Sequence, residues 1–86
     1  MKKIIKFYAD WCGPCKVYGK SWDKVAKKYD GQVEFVSINI EEDTTGLAAQ
    51  YKVKSIPHTV LIKEDGTEVT KSGRISQEEL EELVLS

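Results

Sequence analysis

Apolar and polar positions change their period along the chain in an order that predicts strand, helix, strand, helix, two strands and helix. The run Ile4-Ile5-Lys6-Phe7-Tyr8 is apolar and β-favouring. It predicts a first strand from about Lys3 to Ala9, with Ile5, Phe7 and Ala9 on one face and Ile4, Lys6 and Tyr8 on the other. From Lys16 to Tyr29 the period becomes helical: Tyr18, Trp22, Val25, Ala26 and Tyr29 form one apolar stripe, and Gly31 marks the end. Val33 to Ile40 reads as a second, largely buried strand, because Phe35, Val36, Ile38 and Ile40 supply both faces. Strand, helix, strand implies a parallel pair joined by a right-handed crossover.

Asp43 or Thr44 is placed to cap a short second helix carrying Leu47, Ala48 and Tyr51. Thr59-Val60-Leu61-Ile62, the turn residues Glu64-Asp65-Gly66-Thr67, and Glu68 to Ser72 predict a β-hairpin. In the final helix Ser76 and Glu79 make a capping box, Ile75 can staple onto Leu80, and Leu80, Leu83 and Val84 form the apolar seam. Its glutamates read as solvated.

The two cysteines change this picture, because Trp11-Cys12-Gly13-Pro14-Cys15 lies where the first strand meets the first helix. Unpaired N–H groups and the positive end of the helix dipole favour an anion there, and Pro14 loses nothing in a first turn. Such a position brings the first thiol of a CxxC pair from a pKa of about 8.5 to about 7, a shift of about 2 kcal/mol. The two-residue spacer brings the second sulfur within bonding reach of the first, so Cys15 can attack any mixed disulfide formed by Cys12. Cys12 is expected to be the exposed nucleophile and Cys15 the more enclosed resolving thiol. A structural staple across so short a loop constrains the unfolded chain little. A zinc site lacks ligands, because only His58 remains among the soft donors.

Eighty-six residues make one domain, 1–86, and a net charge of −1 argues against a polyanion-binding surface, so nucleic acid is not an expected partner. Met1-Lys2-Lys3 and the short apolar run after it lack the length and cleavage site of a secretory signal. A cytoplasmic, non-membrane, monomeric protein is the expectation, and in that compartment paired cysteines are more often catalytic than structural.

The WCGPCK stretch, preceded by Lys6-Phe7-Tyr8-Ala9-Asp10, resembles the active site of thioredoxins. Val36-Ser37-Ile38-Asn39-Ile40, Tyr51 to Pro57 and Lys71-Ser72-Gly73 follow in the family's order. The resemblance implies an α/β, thioredoxin-like βαβαββα fold with a four-stranded mixed sheet of order 2-1-3-4 flanked by three helices. It also implies a minimal member of glutaredoxin-like size, because the chain starts at the active-site strand. It further implies a cis peptide bond at Ile56-Pro57 facing the cysteines, with the Ile56 backbone free to pair with a substrate strand. Trp11, Gly13, Pro14 and Gly73 would border the substrate; for Trp11 the plainer reading is packing and for Gly73 a strand-end turn. His58 follows the proline where a small hydroxyl residue is common in the family, and as a lone histidine it reads as structural.

Three departures stand out. Lys6 occupies the place of the family's buried aspartate, the proton acceptor for the second cysteine. Ser37 replaces the lysine that often accompanies it, and Lys20 replaces a helix proline, so any kink comes from Gly19 or is absent. Lys6 is thus a candidate modulator of the Cys15 pKa, unless it simply snorkels to water. The function so implied is a protein disulfide reductase, with Cys12 attacking and Cys15 resolving. It would bind no cofactor or metal and would draw electrons from NADPH through a flavin reductase, thioredoxin reductase. A glutaredoxin-like enzyme recharged by glutathione and a non-catalytic binding module are the rival readings.

Overall fold

The computed structural model describes all 86 residues. Seven elements follow in the order β1 (Lys2–Tyr8), α1 (Gly13–Lys28), β2 (Val33–Asn39), α2 (Leu47–Gln50), β3 (His58–Ile62), β4 (Glu68–Ser72) and α3 (Gln77–Leu85). They form a four-stranded sheet of order β2-β1-β3-β4. β1 runs parallel to β2 and antiparallel to β3, and β3 is antiparallel to β4. The βαβαββα order and the mixed 2-1-3-4 sheet are as the sequence resemblance implied.

Alternation along β1 divides the interior. Ile4 faces α1 and α3, where it packs with Tyr18, Trp22, Val25, Leu80 and Val84. Ile5 and Phe7 face the opposite side with Ile38 and Val60, under Leu47, Tyr51 and Val53. A sheet covered on both faces holds its central strand rigid, and β1 leads directly into the cysteines.

Four details differ from the sequence reading. β2, at the sheet edge as the 2-1-3-4 order implied, is less buried than its apolar run suggested: only Val33 and Ile38 are buried, and Phe35 and Val36 remain partly exposed along a strand with a neighbour on one side only. The residue preceding α2 is Gly46, not Asp43 or Thr44, and the helix is a single turn. Asp43 still organises that turn, its carboxylate accepting from the Thr45 hydroxyl and, at 2.8 and 3.0 Å, from the Thr45 and Ala48 N–H groups. At α3, Ser76 Oγ accepts the Glu79 N–H at 3.1 Å, and the Ser76 hydroxyl points at the Glu79 carboxylate, so only half of the capping box forms. Finally, Glu81 is not merely solvated: it accepts from Lys28 Nζ at 3.1 Å, linking α3 to α1.

Candidate active site

The redox pair sits where β1 ends and α1 begins. Cys12 is the N-cap of α1, with extended backbone (φ −83°, ψ 109°), and Pro14 lies in the first turn. Cys12 and Cys15 are joined by a disulfide, their Cα atoms 5.2 Å apart. Cys12 Sγ accepts the Cys15 N–H at 3.2 Å, taking the place that a serine or aspartate oxygen fills at ordinary helix starts. The first turn holds no acidic residue, so nothing there competes with a thiolate for the helix dipole.

The expected contrast in exposure is not present. In the disulfide Cys12 is 5% and Cys15 4% exposed, because Ala9, Tyr8, Ile40 and Ile56 pack around both. The two sulfurs differ in surroundings instead. Cys12 Sγ lies 3.8 Å from the Ile56 carbonyl oxygen, on the side facing the segment before β3. Cys15 lines a cleft of about 210 Å³ together with Lys6, Tyr8, Asp10, Lys16 and Gly19.

The Ile56–Pro57 peptide bond is cis. Ile56 is half-buried and its N–H and C=O make no backbone hydrogen bond, whereas Pro57 is buried and its carbonyl accepts the Gly73 N–H at 2.8 Å. That bond ties the end of β4 to the proline segment. Gly73 has φ +82°, and a Cβ built there would meet nothing within 4 Å. Its glycine is therefore required by backbone conformation, the strand-end reading, and a side chain there would project into open space beside the site. Trp11 is 66% exposed, and Gly13 and Pro14 are exposed beside it. Trp11, Gly13 and Pro14 thus adjoin the cysteines in the chain, Ile56 packs against the disulfide, and Gly73 is tied to Pro57.

Lys6 does not reach out to bulk water. The residue is 7% exposed, and its ammonium sits 4.9 Å from the Tyr8 ring centroid and 5.4 Å from that of Trp22. A Cβ on Gly19 would lie 3.8 Å from Lys6 Nζ, an ordinary contact, so the ammonium rests against this stretch of α1. Burial lowers the lysine pKa from its ordinary value, and the Asp23 carboxylate partly opposes that.

Three residues to which the sequence assigned no catalytic role tie together the elements that carry the site. Tyr18 Oη and Thr59 Oγ1 are 2.7 Å apart and fully buried, joining the second turn of α1 to β3. Burial pushes the Tyr18 phenol up to about 12. His58, directly after Pro57, is buried against Phe7, with Nδ1 3.4 Å from Ser72 Oγ and Nε2 without any partner. Burial lowers its pKa. No three His, Cys, Asp or Glu side chains converge closely enough to hold a metal ion.

A disulfide at a helix N-terminus, beside a cis-proline, on a βαβαββα frame defines the class of thiol–disulfide oxidoreductases built on the thioredoxin fold. The Thioredoxin family model matches residues 1–86. The chain is 35% identical to a thioredoxin of Pseudomonas aeruginosa over 77 residues, covering 90% of this chain and 70% of that one. It is 39% identical to a mitochondrial thioredoxin of Bos taurus over 82 residues, covering 95% of this chain and 48% of the bovine protein. Among solved structures, Fasciola hepatica thioredoxin superposes with a TM-score of 0.84 at 33% identity, over 98% of this chain and 78% of that one. Chloroplastic thioredoxin z gives 0.86 at 28% identity, over 98% and 75%. The chain belongs to the thioredoxin family.

Proposed function

We propose that this protein reduces disulfides in other proteins, with Cys12 as nucleophile and Cys15 as resolving thiol. The observation that carries the reading is the position of Cys12 as the N-cap of α1, its sulfur receiving the Cys15 N–H. That donor is aimed at the sulfur before the reaction begins and strengthens as the sulfur becomes anionic.

In the reduced protein the Cys12 thiolate attacks one sulfur of a substrate disulfide. A bond forms from Cys12 to that sulfur, the substrate S–S bond breaks, and the other substrate sulfur leaves as a thiolate that takes a proton from water. Cys15 then loses its proton and attacks Cys12 Sγ, releasing the second substrate sulfur and closing the Cys12–Cys15 disulfide. Two electrons have passed from the dithiol to the substrate.

The unpaired Ile56 backbone beside the disulfide suits an extended peptide added as a short strand, held by main-chain bonds that tolerate many sequences. Trp11 offers it an exposed apolar face. Absence of a deep cleft favours protein substrates over small molecules. Recharging by an NADPH-dependent flavin reductase fits the Trp11-Cys12-Gly13-Pro14-Cys15 stretch. The test is turnover of a disulfide-containing protein such as insulin, with NADPH and thioredoxin reductase in one arm and glutathione with glutathione reductase in the other. Turnover in the first arm, lost in Cys12→Ser, is expected. Turnover in the glutathione arm alone would make the protein glutaredoxin-like. Unchanged biological function with both cysteines replaced by serine would make it a binding module.

A further inference from the structure

We propose that Lys6 is a positioning residue for the second half of the exchange: its ammonium, held in the cleft behind the disulfide, stabilises the Cys15 thiolate that expels the reduced substrate. The proposal rests on the dithiol chemistry given above and adds to it a source for the charge that Cys15 needs.

The geometry begins with register. Lys6 pairs with Ser37 on β2 and Thr59 on β3, in the middle of the sheet, and alternation turns its side chain towards α1. A lysine in that place would normally meet the helix. Here Gly19 faces the ammonium at ordinary contact distance, and the rings of Tyr8 and Trp22 flank it. The ring faces offset part of its lost hydration. They do not supply an anion, and Lys6 Nζ has no hydrogen bond or ion pair within the chain. The ammonium keeps only slight solvent exposure and lines the same cleft as Cys15. A cation enclosed with no carboxylate in direct contact costs stability, and that cost falls when an anion forms next to it. Cys15 is the one group in the cleft that becomes an anion in the reaction.

Other charges cannot take this part. From α1, Lys16 is at the exposed rim and Asp23 stands one turn beyond Gly19; from the loop after β1, Asp10 is exposed; Tyr8 and Tyr18 present phenol rings; and β3 contributes Thr59, which is uncharged. Solvent screens the rim charges more than the enclosed ammonium. In the resolving step the Cys15 proton passes to cleft water, the Cys15–Cys12 bond forms, and the Cys12–substrate bond breaks. Lys6 supplies neither proton nor electrons.

The experiment measures alkylation rate against pH for the single thiol of the Cys12→Ser protein. Lys6→Met and Lys6→Gln remove the charge at similar bulk, and Lys6→Arg retains it. An opposite charge within about 4–6 Å is worth about one pH unit or more, so the alkylation midpoint should rise by about one unit in both neutral variants and stay near the parent value in Lys6→Arg. In the two-cysteine protein, Lys6→Met should slow single-turnover release of reduced substrate near pH 7 about tenfold and leave the first attack unchanged. A midpoint unmoved by Lys6→Met and Lys6→Gln in proteins with the parent's cooperative melt would overturn the proposal. Because the titration uses no substrate, it gives the same answer whether or not the protein proves to be a disulfide reductase.

Discussion

Removing the Tyr18 hydroxyl should destabilise the whole domain, and the size of the loss can be worked from one buried contact. Tyr18 Oη and Thr59 Oγ1 lie 2.7 Å apart, and the two residues are 1% and 0% exposed. In Tyr18→Phe the Thr59 hydroxyl is left where water cannot reach it, a penalty of about 1–3 kcal/mol. Taking about 2 kcal/mol, and an unfolding entropy of about 2.1 cal/mol/K per residue over 86 residues, or about 180 cal/mol/K, Tm should fall by about 11 °C. Thr59→Val in the same background removes the orphaned hydroxyl and should recover most of the loss. Urea or thermal melts of the two single variants and the double variant, followed by far-ultraviolet circular dichroism, complete the cycle. A double variant as unstable as the sum of the single ones would refute the reasoning, because it would mean the two hydroxyls do not serve each other. The contact also bears on the site, since it ties the helix carrying the cysteines to the strand that follows Pro57. Tyr18→Phe should therefore slow disulfide reduction more than its effect on the folded fraction explains.

Burial raises the folded Tyr18 pKa above that of the unfolded chain, so the stability it contributes is fully present below pH 10 and lost between about 10 and about 12; Tyr18→Phe should flatten alkaline unfolding in that window. For His58 burial lowers the folded pKa, so the unfolded chain takes up the proton first, and stability should fall as pH drops below about 6.5, by at most about 1.4 kcal/mol per pH unit. His58→Leu should remove that slope in melts between pH 7 and 5, and a slope that persists would assign it to another group. Gly73→Ala, at φ +82°, should cost about 1–2 kcal/mol in urea melts, whereas Gly13→Ala, with open space around it and no positive φ, should cost little. Equal losses at both would remove backbone conformation as the reason for Gly73.

Periodicity made the strands and the two longer helices legible, because Ile4 to Tyr8 is a short β-favouring run buried on both faces, whereas the Tyr18–Tyr29 stripe buries one face of a helix. The cysteines were legible as a site from their spacing and their place at a strand-to-helix junction. Sheet order was not legible from pattern alone. Nothing in Val33 to Ile40 distinguishes an edge strand from a central one, and the family resemblance carried that step. The partnership of Tyr18 with Thr59 spans 41 positions and depends on register, which only the folded sheet fixes. The equal enclosure of Cys12 and Cys15 likewise comes from Ile40 and Ile56, which converge on the disulfide from distant parts of the chain. Lys6 was recognisable as an anomaly, but its enclosure depends on Tyr8, Trp22 and Gly19, which meet its ammonium only once α1 crosses β1.

The division of labour between the cysteines is tested most directly by trapping. Incubating reduced Cys15→Ser and reduced Cys12→Ser proteins separately with a disulfide-bonded protein substrate, then separating the products without reductant and weighing them by mass spectrometry, shows which sulfur attacks. The expected result is a stable mixed disulfide through Cys12 in the Cys15→Ser protein, because no resolving thiol remains, and almost none in Cys12→Ser. Mixed disulfides accumulating equally through Cys15 in Cys12→Ser would contradict the assignment of Cys12 as the nucleophile.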